Sequence, residues 1–152
     1  MKKISMTFLF LFTVLMAFSQ QKYEYKVVTS VESVVPMGMG RSRIIDNKEK
    51  VNVANFTTSR TDGKKSTQKN VKRSQVKVNN FDETKLLNFY SGVGINFQNI
   101  ASNDAVISDK INKTIREGWE LAFVTSGVES DAGQKDGKGI FITRYIFRRP
   151  AK

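Results

Sequence analysis

The side chains able to do chemistry in this chain are carboxylates, lysines and tyrosines, because its 152 residues include no histidine and no cysteine. That composition excludes Ser-His-Asp and Cys-His nucleophiles, thiol redox chemistry and the usual Cys/His zinc sites. Acid–base work would fall to carboxylate pairs, and any metal would be a hard cation held by oxygen. Glu117 and Glu120 flank Gly118-Trp119 and formally suit a small carboxylate-dependent hydrolase. The simpler reading is that Glu117 closes an exposed helix turn while Glu120 faces solvent or pairs with Arg144 across a hairpin. Glu129, Asp131 and Asp136 share one loop, but their spacing fits no calcium loop and Lys135 and Lys138 oppose a divalent ion. An enzyme is not expected from these residues, and neither is a cofactor.

Charge is the stronger signal. The chain carries +11 overall, and residues 41–77 hold eleven basic side chains against Asp46, Glu49 and Asp62, or 11 − 3 = +8. Within that stretch Arg41, Arg43, Lys64, Lys65, Lys72 and Arg73 are the candidate anion-contact residues. The glycines at 38 and 40 precede two of them and could cradle an anion with backbone N–H groups, although the spacing is not a dinucleotide fingerprint. Nucleic acid is not the expected partner, since no aromatic platforms are interleaved with the lysines. The plain alternative is a solvated basic insertion over about 41–80.

The elements that must position these groups begin with an export signal. Lys2 and Lys3, an apolar run over 4–18 and small residues at Ala17 and Ser19 predict a signal peptide over 1–19, cleaved after Ser19. The run is short for a membrane span of about 20 residues, so no span is expected once it is removed. The whole chain's 39% hydrophobic content and 11 phenylalanines are enough for a core, and the remaining residues, 20–152, read as a single domain.

Alternation over 22–35 predicts a first strand, with Tyr23, Tyr25, Val27 and Val31 on one face and the tyrosines in the core. Stretches 51–56 and 75–78 are candidate short edge strands around a turn at 61–65. Residues 81–100 are rich in Phe, Leu and Ile and must pack on something; they predict a helical turn over 84–90 and then an extended piece. A helix capped by Ser102 or Asn103 should run to Gly118, burying Ile107, Ile111, Thr114 and Ile115. Trp119, Leu121 and Phe123 alternate along a second strand. Residues 140–148 form a third, largely apolar on both faces near its start, which suggests a central strand with the helix on one side and the 81–100 block on the other. The fold class is α+β: about three core strands in an antiparallel-rich sheet, one packed helix, and the order β, insertion, α, β, β.

Three motifs in that order, KYEYKVV, EGWELAFV and RYIFRR, resemble the small bacterial family known as domain of unknown function 4177. The resemblance covers about half of the expected mature chain. It implies a compact unit of three strands and one helix, with no established activity and no catalytic residues to carry over. This chain departs from it by inserting 36–99 ahead of the helix. The AFSQ exit of the signal is similar to that of exported proteins of Bacteroidota-type bacteria. The expectation is an exported, periplasmic or extracellular, non-catalytic binding or structural module of the cell envelope. Its partner would be an anionic envelope component or another protein.

Overall fold

The computed structural model describes residues 22–36, 41–60, 63, 66–129 and 139–151. The expected signal segment, the glycines at 38 and 40, Lys64, Lys65, Asp131 and Asp136 lie outside the described residues. In chain order come β1 (Tyr23–Ser33), β2 (Arg43–Asn47), β3 (Phe81–Lys85) and a two-residue ribbon of β4 (Tyr90–Ser91) and β5 (Gly94–Ile95). The helix α1 (Phe97–Arg116), β6 (Glu120–Glu129) and β7 (Ile140–Pro150) follow.

The chain is α+β, but its main sheet has five antiparallel strands, in the order β3-β2-β1-β7-β6, rather than about three. The two additions are short segments that sequence patterning passed over. RIIDN is only five residues and sits inside the basic stretch; FDETK leads into what resembled a helical turn at 84–90 and is instead β3. The candidate edge strands are not strands. Val53–Phe56 is a 3-10 turn capped by Asn52, whose Oδ1 accepts the Ala54 N–H, and Arg73–Val76 is one helical turn. Their valines stay exposed, so no packed face holds them extended.

β1 is buried on the opposite parity from the one expected. Val28, Ser30 and Glu32 face α1, while Tyr25 is 63% exposed on the other side together with Tyr23 and Val27. Val28 joins Ile44, Leu86 and Phe147 in a small core, against which Val106, Ile107 and Ile111 of α1 pack with Trp119, Leu121 and Tyr145. Thr114 is buried as expected, whereas Ile115 lies half exposed near the helix end.

The helix starts earlier than Ser102: Asn96 is its cap, accepting the Asn99 N–H at 3.1 Å, and Asn103 is an interior residue. Gly118, at φ +86°, ends it as read from sequence, since a left-handed residue there is nearly strain-free only for glycine.

The 81–100 block does not cover the second sheet face. Only Leu86 is buried, Phe89 meets Phe141 on the helix side, and Phe81, Leu87, Ile95 and Phe97 remain exposed. Strand β7 is central and its alternation holds, but the face carrying Ile142, Arg144 and Ile146 has no described layer over it. In β6 a bulge between Leu121 and Phe123 breaks the expected alternation: Leu121 opposes Phe147 on the helix side, while Phe123 opposes Ile146 on the open face. No described helix is long and apolar enough to cross a membrane.

Candidate functional site

The basic excursion is the connection of a hairpin. β2 and β3 are antiparallel neighbours, and the Lys48 N–H donates to the Asn80 carbonyl at 3.1 Å where the chain leaves and rejoins the sheet. Just outside that bond, the Asn79 N–H donates to Glu49 Oε1 at 3.1 Å. The loop is organised locally by side chains such as Gln68, whose Nε2 donates to the Phe56 carbonyl and to Thr58 Oγ1. Residues 50–78 carry eight basic side chains and Asp62, 8 − 1 = +7.

Ion pairing divides the protein in two. Most cations of the sheet and helix are matched to carboxylates: Lys26 and Lys110 to Asp46, Arg43 to Glu83, Arg116 to Asp109, Arg148 to Glu120, Arg149 to Glu24; Lys85, Lys113 and Arg144 are the exceptions. Among the described residues, Lys50, Arg60, Lys69, Lys72, Arg73 and Lys77 of the loop form no ion pair. Of the anion-contact residues read from sequence, Lys72 and Arg73 are thus exposed in the loop, Arg41 is exposed just before β2, and Arg43 is engaged with Glu83 at 2.7 Å.

Sequence reading missed the most buried charge. Asp46 alternates inward with Ile44 on β2 and is 1% exposed. Its Oδ2 accepts Lys110 Nζ at 2.6 Å, Lys26 Nζ at 3.1 Å and Lys48 Nζ at 3.3 Å, while Oδ1 has no partner. Lys26 also lies 3.9 Å from Glu117, and Lys48 3.0 Å from Asp82. Three lysines and three carboxylates therefore tie β1, β2, β3 and α1 into one charge-balanced network. Burial pushes the Asp46 carboxyl upward, but hydrogen bonds from Lys110 and Lys26 and their charges outweigh it and hold it below its ordinary value. An acid on the buried parity of a strand was the one available hint; its partners are distant in sequence.

Where β2 leaves the edge of β1, a cleft opens between Glu24, Lys26, Lys48, Glu49, Trp119 and Arg149. Arg149 stacks on the Trp119 ring at 4.2 Å while pairing with Glu24. A second groove, between β3 and α1, holds Asp82 and Asp109. Each thus has two carboxylates, as a hydrolase would need, but these are engaged: Glu24 by Arg149, Glu49 by the Asn79 N–H, Asp82 by Lys48 and Asp109 by Arg116 at 3.8 Å. Glu117 is the exposed C-cap of α1. Glu120 pairs with Arg148 rather than Arg144, at 3.0 and 3.1 Å, because the strand register sets Glu120 opposite Arg148 and Thr125 opposite Arg144. Among the described residues no group of three acidic side chains could hold a metal ion.

Among the described residues, Glu32 is the carboxyl whose proton affinity is raised. Burial is the main cause; a hydrogen bond from Asn103 Nδ2 at 2.8 Å opposes it, and the charge of Asp104 adds to it. It lines neither cleft. Nearby, burial also raises the Tyr145 phenol, which faces Ser30, although the Ser30 hydroxyl makes no hydrogen bond of ordinary geometry. A raised carboxyl destabilises the fold when ionised, so Glu32→Gln is expected to stabilise the protein at neutral pH. That gain should shrink as pH falls through the raised pKa and vanish below about 4.3, the ordinary glutamate value. Urea melts of both proteins across that range measure the gap; a gap that stays constant would show that Glu32 is not strained by burial.

The fold and these groups define a small α+β domain whose scaffold cations are mostly paired and whose described loop cations are not. No family model, curated protein or solved structure matches the chain. The likeness to domain of unknown function 4177 therefore rests on its three short motifs.

Proposed function

We propose that the protein is an exported, non-catalytic module of the cell envelope that presents the 50–78 loop to an anionic partner. The observation that carries this reading is the division of charge: six of the nine cations on the sheet and helix pair with carboxylates, whereas none of the six described loop cations forms an ion pair. Unpaired lysines and arginines gathered on one connection attract anionic surfaces at roughly 1 kcal/mol per residue near an anionic membrane, an attraction that salt screens. The absence of histidine and cysteine and the engagement of the cleft carboxylates support a non-catalytic role.

The hairpin supplies a clean test. Replacing 50–78 with a two-residue Asn-Gly turn retains Lys48, Glu49, Asn79 and Asn80 and removes the +7 of the loop. The variant is expected to keep its far-UV circular dichroism and cooperative melt, because the bonds that close the hairpin lie outside the deletion. Wild type should co-sediment with vesicles containing anionic lipid at low salt and dissociate at high salt, and the variant should not bind. Equal binding by a folded variant would exclude the loop as the contact.

A further inference from the structure

Strand β6 is ten residues long and ends the sheet; among the described residues only β7 hydrogen-bonds to its backbone. Long edge strands are normally protected by lysine, proline or a covering element, because their unpaired N–H and C=O groups accept another strand. ELAFVTSGVE has no lysine or proline, and its charges are confined to Glu120 and Glu129 at the two ends. The bulge lies at its start and leaves 123–129 in unbroken register with β7. Phe123 stands on the open face, 61% exposed, and Val124 and Val128 are exposed as well.

Four residues after Phe123, on the same face, Gly127 leaves a depression of about 290 Å³ bordered by Thr125, Glu129, Ile142 and Arg144. A Cβ at Gly127 would meet nothing. A projecting ring and a gap on one strand face, spaced evenly about Thr125, are self-complementary. We propose that β6 pairs antiparallel with β6 of a second copy about a twofold axis at Thr125, forming a continuous ten-stranded sheet. In that register Phe123 lies directly across from Gly127 of the other chain, so both rings cover both glycines at once. Aromatic residues opposite glycine are a recurrent way to pin strand register. The isologous geometry requires a patch that fits itself, which this one does. The segment between the two glutamates is uncharged, so β6 itself brings no like charges together at the axis.

Sedimentation equilibrium of the purified protein from micromolar to near-millimolar concentration tests this. Wild type is expected to reach twice the chain mass. Phe123→Asp should weaken association about 30-fold or more, the loss typical of an interface anchor, while folding normally because the ring is exposed in the monomer. If that variant fails to fold, Gly127→Leu, whose side chain enters open space in the monomer and occupies the place of the incoming ring, carries the test. The chain has no cysteine of its own, so register can be read directly. Thr125→Cys should oxidise to a linked dimer, whereas Val128→Cys, displaced along the strand from its own copy, should not. A wild type that stays monomeric, association unaffected by these substitutions, or equal linkage at 125 and 128 would each overturn the proposal. Pairing with a strand from a different protein would leave the purified chain monomeric and so falls under the first of these.

Discussion

Asp46→Asn is expected to cost about 3–5 kcal/mol of unfolding free energy, the range for removing one partner from a buried ion pair. The side chain is almost the same size, so packing is preserved and charge is the variable. The Lys26 and Lys110 ammonium groups are both largely buried; without the carboxylate, Lys26 keeps Glu117 at 3.9 Å, and Lys110 has no other described carboxylate within ion-pair distance. Lys48 loses less, because Asp82 remains 3.0 Å away. Lys110→Met should cost markedly less than Asp46→Asn, since two lysines still neutralise the acid. The pH dependence has a definite sign. A carboxyl held below its ordinary value stabilises the fold above about pH 4, and that contribution is lost as pH falls through the depressed pKa. The difference between wild type and Asp46→Asn in urea melts should therefore be full at neutral pH and shrink in strong acid. Equal stability at neutral pH would mean that desolvation of the three lysines cancels the pairing.

Asn103→Leu is expected to cost about 2–4 kcal/mol. Asn103 is 1% exposed and uses both ends of its amide: Oδ1 accepts the Leu87 N–H at 2.8 Å, and Nδ2 donates to the Leu87 carbonyl at 2.7 Å and to Glu32 at 2.8 Å. It therefore grips the backbone after β3 much as a neighbouring strand would, and fastens that segment to α1. Leucine fits the volume but leaves these groups without partners, at about 1–3 kcal/mol for each that stays buried. The sum is reduced because Leu87 is partly exposed and water can reach its backbone. Asn103→Asp should be worse than its size suggests, since it sets a second carboxylate against Glu32. Thermal melts give the size of the loss. Hydrogen exchange gives its location: the Leu87 amide should exchange much faster in Asn103→Leu, and unchanged protection there would remove the clamp from the account.

Both residues were invisible as sites for the same reason. Asp46 sits among eleven basic residues and reads as one of three acids diluting them; nothing local shows that it points inward. Asn103 sits where a cap is plausible, just before Asp104, yet the chain becomes helical six residues earlier because Asn96 caps it. The inverted parity of β1 has the same origin. Tyr23, Tyr25 and Val27 look more like a core face than Lys26, Val28, Ser30 and Glu32 do, but the polar face is the one that Asp46 and Asn103 complete.

Sequence alone determined what depends on near neighbours and on composition. It excluded histidine and cysteine chemistry, concentrated the charge in one connection, placed the first strand and the terminal hairpin, and stopped the helix at Gly118. Periodicity, turn chemistry and glycine conformation act within a few residues, so they can be read along the chain. Tertiary structure decided the five-stranded order, the lysine network, the clamp on Leu87 and the place of β6 at the end of the sheet. Lys110 meets Asp46 across 64 residues and Asn103 meets Glu32 across 71. Such partners are chosen by strand register and by the face on which the helix lands, and those are fixed only when the whole chain packs.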